Sequence, residues 1–184
     1  MEKELPKRKP LRLPEYDYSS TGAYFITICT KDRKTFFSAE YNSFSARTVE
    51  RNAGKMFVSS SGADSISARM IERTFLETLQ QYEGIDSPIF VVMPNHFHAI
   101  ITVLRADMES APTVSKIVQA FKRYSTLEYI KMVKERIVPP FDKQIWQRSF
   151  FDHVIRNRDD YEEVYKYIRD NPASWQSDQL FVEE

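Results

Sequence analysis

Two histidines one residue apart are the first residues of this chain that could do chemistry. His96 and His98 lie inside the hydrophobic run 91–101. On a β-strand, alternate side chains share a face, so both imidazoles would point the same way and could converge on one metal ion. The alternative is a pair of half-buried strand histidines that hydrogen-bond to neighbouring groups. The spacing alone does not decide between these two interpretations.

A tyrosine and a carboxamide form a second candidate pair near the C-terminus. The stretch that follows Asn157 has helical periodicity, and its apolar stripe consists of Tyr161, Val164, Tyr165 and Ile168. Tyr167 falls well off this stripe, and Asn171, four residues on, lies on the same side of the helix. The pair could belong to a site, or it could be a surface tyrosine beside a helix-ending asparagine.

The hydrophobic pattern predicts the elements that would position these residues. Strands are predicted at 24–30, 89–93 and 96–104 and within 144–155. Helices are predicted from Ser65 to Gly84, from Thr113, from Ser125 or Thr126 to about 136, and from Asn157 to Asp170. Alternation along 96–104 places the apolar residues on the core face and the histidines on the opposite face. The order strand, helix, strand, strand, helix, strand, helix favours an α+β protein with a ferredoxin-like antiparallel sheet and packed helices.

The N-terminal segment differs from the rest of the chain. Residues 1–22 are predicted to form a basic, irregular leader, because three prolines resist regular structure there. Residues 23–184 are predicted to form a single domain. The leader's candidate DNA-binding residues are Lys7, Arg8, Lys9 and Arg12. A solvated tail would have the same composition. Residues 38–64 show no pattern from which a structure follows.

Composition excludes several classes of protein. The 26 acidic and 26 basic residues give no net charge, so a polyanion site would require an uneven charge distribution. Four glycines and no matching motif argue against a glycine-rich phosphate loop. The single cysteine, Cys29, excludes an intramolecular disulfide and a cysteine zinc cluster, and it suits a cytoplasmic protein. No apolar run reaches about 18 residues, so we expect no membrane partner.

Three ordered motifs together carry a resemblance to a known family. They are MPNHFH at 93–98, IWQRSFFDHVIRN at 145–157 and YIRDNP at 167–172. Together they closely resemble the single-tyrosine HUH transposases, of the IS200-like kind, and in particular the REP-associated tyrosine transposase branch. Residues 12–18, the strand at 22–30 and the pair Phe121-Lys122 are also similar to this branch, whereas residues 38–85 match poorly.

The resemblance implies metal-dependent chemistry on single-stranded or hairpin DNA. It makes His96, His98 and Asn171 the ligands of a divalent cation, Mg²⁺ or Mn²⁺, which polarises the scissile phosphate. It makes Tyr167 the nucleophile that forms a 5′-phosphotyrosine and frees a 3′-hydroxyl. Many relatives carry glutamine at the third metal position, whereas the shorter asparagine is similar to the REP-associated branch.

Other residues receive weaker assignments. Candidate phosphate contacts outside the leader are Lys122, Arg123, Arg148, Arg156 and Arg158. We expect a structural or DNA-contacting role for His153, and core positions for Trp146, Phe150 and Phe151. Two rival functions stay open: a domesticated or inactive protein that binds DNA repeats or hairpins without cleaving them, and a nuclease that uses water. A monomer and a homodimer are both compatible with the sequence.

Overall fold

The computed structural model describes residues 21–37, 47–52, 55–58, 65–104 and 113–182. Its strands are β1 (Gly22–Cys29), β2 (Arg47–Asn52), β3 (Lys55–Val58), β4 (Ile85–Asp86), β5 (Ile89–Met93), β6 (His96–Val103) and β7 (Phe151–Ile155). Its α-helices are α1 (Ile66–Gln80), α2 (Val114–Lys134) and α3 (Arg158–Asp170), and a 3₁₀ helix, Asn171–Ser177, follows α3 directly. Residues 1–20 of the predicted leader lie outside the described residues, and Gly22, its last residue, belongs to β1.

The strands form one antiparallel sheet. Their spatial order is β3-β2-β5-β6-β1-β7, with β4 pairing with β6. Six of the elements occur along the chain in the order β1, α1, β5, β6, α2 and β7, with the other strands inserted between them. In the sheet, the four strands of this set lie in the order β7-β1-β6-β5. This is the split β-α-β arrangement of ferredoxin-like domains, so the predicted α+β class is confirmed. β2 and β3 lie within residues 38–64, where no sequence pattern predicted a structure.

Side-chain caps start all three α-helices where the sequence predicted a start. Ser65 Oγ accepts a hydrogen bond from the amide of Ala68, at 2.9 Å. Thr113 caps α2 in the same way, and Asn157 Oδ1 accepts from the amide of Asp160 at 2.9 Å. Each cap satisfies an amide that the first turn leaves without a partner, and this fixes the start of the helix.

The predicted break in the second helix is wrong. α2 runs without interruption from Val114 to Lys134. Ser125 and Thr126 donate their hydroxyls to the carbonyls of Phe121 and Lys122, each at 2.7 Å. A hydroxyl bonded to the preceding turn is compatible with the helix interior, so these residues do not act as caps.

The last strand is shorter than the sequence suggested. Of the candidate stretch 144–155, only Phe151–Ile155 forms β7, and Trp146 makes an isolated bridge to Thr30. The carbonyls of Gln147 and Ser149 accept hydrogen bonds from Lys122 Nζ, each at 2.9 Å. These two carbonyls are therefore occupied by a side chain rather than by a strand ladder.

Both faces of the central strands are covered. The larger core cluster contains Phe97, Ala99, Ile101 and Val103 from one face of β6, together with the buried sides of α1 and α2. On the opposite face, Ile168 of α3 and Trp175 of the 3₁₀ helix pack against Ile89, Val91, Met93 and Ile100. The two histidines lie in this second layer, as the alternation predicted. No helix among the described residues combines the length and apolar character that membrane crossing needs.

Candidate metal centre and catalytic tyrosine

The two histidines of β6 lie side by side and are fully enclosed. The ring centroids of His96 and His98 are 4.5 Å apart, and the side chains are 0% and 1% exposed. Residues two apart on a strand point to the same face, and the strand geometry therefore explains the pairing. What the two nitrogens of each ring can do depends on the partners that surround them.

The partners of Asn95 fix the tautomer of His96. Asn95 Nδ2 donates to the carbonyl of Leu180 at 2.8 Å, and this orients the carboxamide with Oδ1 toward His96. Asn95 Oδ1 lies 2.8 Å from His96 Nδ1 and can only accept, so Nδ1 carries the proton. The lone pair of His96 is therefore on Nε2.

Thr27 orients the ring of His98 through a hydrogen bond in which the hydroxyl can donate or accept. Its hydroxyl lies 2.8 Å from His98 Nδ1, and the two residues are directly paired across β1 and β6. The imidazole also stacks on the ring of Phe25, with centroids 5.3 Å apart. Because both Nδ1 atoms are engaged, both histidines direct Nε2 toward the same space beneath α3. Such outer hydrogen bonds commonly orient metal-binding histidines.

Burial keeps both imidazoles neutral. Loss of solvation lowers the pKa of His96 to about 3. The nearby carboxamide of Asn171 opposes this shift, although the two side chains make no hydrogen bond of normal geometry. Burial, together with the neighbouring His96, lowers the pKa of His98 well below its ordinary value. Neutral imidazoles have the lone pairs that a cation requires, without first releasing a proton.

A carboxylate that the sequence did not single out completes the cluster. One oxygen of Asp178 and one ring nitrogen of each of His96 and His98 all lie within 4.8 Å of one another. Asp178 follows α3 by eight residues, and only the path of the 3₁₀ helix returns it to the histidines. No periodicity marks this position, so the sequence carried no signal for it.

Asn171, the predicted third ligand, is at the centre but makes a different first contact. It is 4% exposed, and its Nδ2 donates to Asp178 Oδ2 at 2.8 Å. Among the described residues, neither Asn171 Oδ1 nor His96 Nε2 has a hydrogen-bond partner, although both atoms are buried. Buried polar atoms without partners are costly, and a bound cation would satisfy both. Two imidazoles, a carboxylate and an amide oxygen are a donor set that fits a divalent metal.

Tyr167 stands at the open side of this centre. Its side chain is 45% exposed, and its hydroxyl lies 3.4 Å from His98 Nε2. Its ring packs edge-on against Phe25, with centroids 5.8 Å apart. Tyr167, Asn171 and Asp178 line one open cleft of about 520 Å³. Burial and the charge of Asp178 raise the pKa of Tyr167, so the phenol is protonated until a positive charge or a base arrives.

The predicted DNA-binding cations have varied surroundings. The ammonium of Lys122 bonds two backbone carbonyls and lies over the ring of Phe150, and burial lowers its pKa to about 8. Those carbonyls favour the charged form and oppose this shift. Arg123, Arg148 and Arg156 are exposed. Lys7, Arg8, Lys9 and Arg12 lie outside the described residues. Phosphate contacts by these residues stay a prediction.

The packing tests two aromatic assignments and shows which residue His153 contacts. Trp146 is buried and donates Nε1–H to Ser125 Oγ at 2.9 Å, as expected of a core residue. Phe151 is 53% exposed, so its predicted core position is wrong. It lies at the sheet edge, where its neighbour Phe25 packs against it edge-on. His153 Nε2 lies 2.9 Å from Asp160 Oδ1, which ties β7 to α3, and His153 is not part of the cluster of candidate ligands.

Known proteins resemble this chain in sequence and in fold. The family model described as "Transposase IS200 like" matches residues 66–171, more than half of the chain. An uncharacterised protein of Haemophilus influenzae is 29% identical and spans 96% of this chain and 94% of its own length. A REP-associated tyrosine transposase of Escherichia coli is 31% identical over 46% of this chain and 42% of its own length. The solved structure of a REP-associated tyrosine transposase bound to a REP hairpin superposes with a TM-score of 0.56, at 20% identity, over 89% of this chain and 74% of that one. This last likeness supports the fold.

Proposed function

Because this chain belongs to the IS200-like transposase family, we propose that it is a metal-dependent tyrosine transposase that cleaves and rejoins single-stranded DNA near hairpins. The observation that carries the proposal is the approach of the Tyr167 hydroxyl to the two-histidine centre, at 3.4 Å from His98 Nε2. A nucleophile and a cation site would then share one scissile phosphate. Bacterial DNA lies in the cytoplasm, so a substrate of this kind would place the activity there.

Each functional side chain has a separate role in this proposal. The oxygen of Tyr167 attacks the phosphorus, the bond from phosphorus to the 3′-oxygen breaks, and the phenol proton leaves to solvent. The 3′-oxygen takes up a proton and departs as a hydroxyl, while the strand on the 3′ side of the cut stays on the tyrosine through its 5′-phosphate. Rejoining reverses these changes, so no nucleotide cofactor is consumed. A divalent cation, Mg²⁺ or Mn²⁺, would polarise the phosphate when held by His96, His98 and Asn171.

The open part of the sheet offers a path for a DNA strand. α3 packs over β5 and β6 and leaves the same face of β1 and β7 less covered. Phe25 and Thr27 of β1 share this face with Phe151 and His153 of β7, because directly paired residues point the same way. The family relative bound to a REP hairpin supports a hairpin partner. Exposed arginines, including Arg148 and Arg156, would contribute phosphate contacts.

A covalent-capture assay tests the proposal. The full chain is mixed with end-labelled hairpin DNA from its own genomic flank, with and without Mn²⁺, and resolved on a denaturing gel. We expect a metal-dependent adduct that retains the strand on the 3′ side of the cut. Tyr167→Phe should abolish the adduct while hairpin binding persists. Tyr165→Phe, on the same helix, is the matched control and should still form the adduct.

Other outcomes would select a rival function. Cleavage without an adduct would indicate a nuclease that uses water. Tight hairpin binding with neither cleavage nor adduct would indicate a domesticated binding protein. An adduct that persists in Tyr167→Phe and disappears in Tyr165→Phe would move the nucleophile to Tyr165. The same samples, passed through a sizing column, would show whether the chain acts as a monomer or a homodimer.

A further inference from the structure

We propose that the Asp178 carboxylate is a direct ligand of the divalent cation, in addition to His96, His98 and Asn171. The inference rests on the proposed function, because it concerns the same centre. It adds a negatively charged ligand to a set that would otherwise be neutral. It also assigns a role to the segment after Pro172, which none of the three sequence motifs covers.

The distances suit an ion with only a small adjustment. Mg²⁺ binds oxygen at about 2.1 Å. The ligand atoms of His96, His98 and Asp178 lie within 4.8 Å of one another, so one point lies within about 2.8 Å of all three. An inward movement of about 0.7 Å by each atom would therefore bring all three to bonding distance.

The hydrogen bonds of Asp178 hold it in place and leave room for a cation. The amide of Leu180 donates to Asp178 Oδ1 at 2.6 Å, and Asn171 Nδ2 donates to Oδ2 at 2.8 Å. A carboxylate has about four acceptor positions, so two of them stay available. Because its nitrogen is bonded to Asp178, Asn171 directs Oδ1 elsewhere, and that oxygen is buried without a partner among the described residues.

Leu180 links the two sides of the centre through its backbone. Its amide bonds Asp178, and its carbonyl accepts from Asn95 Nδ2 at 2.8 Å. Asn95 in turn accepts from His96 Nδ1. One residue of the C-terminal segment therefore helps to orient both a histidine ligand and the carboxylate. An arrangement in which a single backbone unit fixes two ligands is expected of a formed metal site, since outer contacts orient the ligands.

Charge gives the physical reason for a carboxylate here. His96 and Asn171 are neutral and buried, as is His98, so a divalent cation held by them alone would retain its two positive charges in an enclosed site. Asp178 would remove one of them. The number of charged ligands strongly affects the affinity of a cation site. Two histidines with one carboxylate also suit Mn²⁺ better than Mg²⁺, because imidazole nitrogen binds the transition-metal ion Mn²⁺ more tightly than it binds Mg²⁺.

Binding of Mn²⁺ to the metal-free full chain tests the inference without reference to catalysis. Free Mn²⁺ is followed by its electron paramagnetic resonance during titration. Asp178→Asn should weaken Mn²⁺ binding about 100-fold, since it removes a charged ligand and keeps the shape. Asp170→Asn is the matched control, because Asp170 lines the same cleft but pairs with Arg169. The affinity of this variant for Mn²⁺ should differ from that of the wild type by less than about 2-fold. Relaxation of water protons should show one additional water on the Mn²⁺ bound to Asp178→Asn.

A second measurement uses the unaltered protein. In the wild-type chain labelled with ¹³C at the aspartate carboxyl carbons, electron–nuclear double resonance of bound Mn²⁺ should detect one directly coordinated carboxylate. A spectrum without ¹³C coupling to the bound Mn²⁺ would overturn the inference. It would also be overturned if Asp178→Asn bound Mn²⁺ with the wild-type affinity and with the same number of water ligands.

Failure of the inference differs from failure of the proposed function. A wild-type chain that binds Mn²⁺ with the carboxylate signal but forms no DNA adduct would refute the function and leave the ligand assignment intact. Adduct formation by the wild-type chain without the carboxylate signal would refute the ligand assignment and leave the function intact. These two readouts are independent, because one needs no DNA and the other needs no knowledge of the metal ligands.

Discussion

The hydroxyl of Thr27 and Nδ1 of His98 are 2.8 Å apart, across two strands that belong to the core of the sheet. The register of β1 against β6 therefore determines which way the imidazole turns. With Nδ1 engaged, Nε2 faces Tyr167 and the neighbouring His96. A strand with no residue in the proposed ligand set thus controls the geometry of the site.

Thr27→Val should weaken metal binding while the chain stays folded. Valine keeps the shape of threonine but cannot hydrogen-bond His98, so the imidazole loses the contact that orients its ring. We expect about a 10- to 100-fold lower affinity for Mn²⁺, the usual cost of losing such an outer contact. Titration of the metal-free chain measures it. Thr27→Ser, which keeps the hydroxyl, should bind nearly as the wild type does; equal loss in both variants would argue against this contact.

Asn95→Ala should affect both stability and metal binding. It leaves the buried Nδ1 of His96 and the carbonyl of Leu180 without their partners. We expect unfolding to become easier by about 1–3 kcal/mol, the range for a buried polar group that loses its bond. Urea unfolding of the metal-free protein measures it. Asn95→Asp can still accept from His96 but cannot donate to Leu180, so its free energy of unfolding should lie between those of the wild type and Asn95→Ala. An Asn95→Ala variant as stable as the wild type would contradict the network.

Stability should fall in acid partly through Asp160. The hydrogen bond from His153, with a second from the amide of Arg156, lowers the pKa of Asp160 below its ordinary value of 3.8. A carboxyl with a lowered pKa stabilises the folded state fully above pH 3.8 and loses this effect as the pH falls through the folded value. At pH 5 to 7 the free energy of unfolding should therefore be higher for the wild type than for Asp160→Asn. The difference should be under about 1 kcal/mol, because solvent screens the pair of His153 and Asp160. Urea unfolding at pH 7, 5 and 3 should show that this difference becomes smaller as the pH falls. A difference that stays constant would contradict the role of Asp160.

Phe151→Ala should weaken DNA binding more than folding. The exposed ring stands beside Phe25, which itself contacts Tyr167, on the uncovered part of the sheet. Stacking of a base on an aromatic side chain contributes about 1–3 kcal/mol, so single-strand affinity should fall about 5- to 150-fold. Fluorescence anisotropy with a labelled oligonucleotide measures it. Leu127→Ala, an exposed apolar truncation on α2, should leave the affinity unchanged; an equal effect of both variants would remove Phe151 from the path of the strand.

Local periodicity was sufficient for part of the site. Strand alternation predicted that His96 and His98 share a face opposite the apolar residues of β6. Helical pitch predicted that Asn171, the residue directly after α3, lies on the same side as Tyr167. Both relations depend only on the geometry inside one element. The helix caps Ser65, Thr113 and Asn157 were predictable for the same reason, because a cap contacts amides two or three residues away. The α+β class followed from the order of these elements.

Contacts between elements required the tertiary structure. Asp178 reaches the histidines through the 3₁₀ turn after α3, Thr27 reaches His98 through the register of two strands, and the carbonyl of Leu180 reaches Asn95 from 85 residues away. Phe151, which the sequence assigned to the core, is exposed because β7 is the edge strand and α3 covers other strands. A sequence pattern sets the direction of a side chain relative to its own backbone. Which groups meet it there is decided by how separate elements pack.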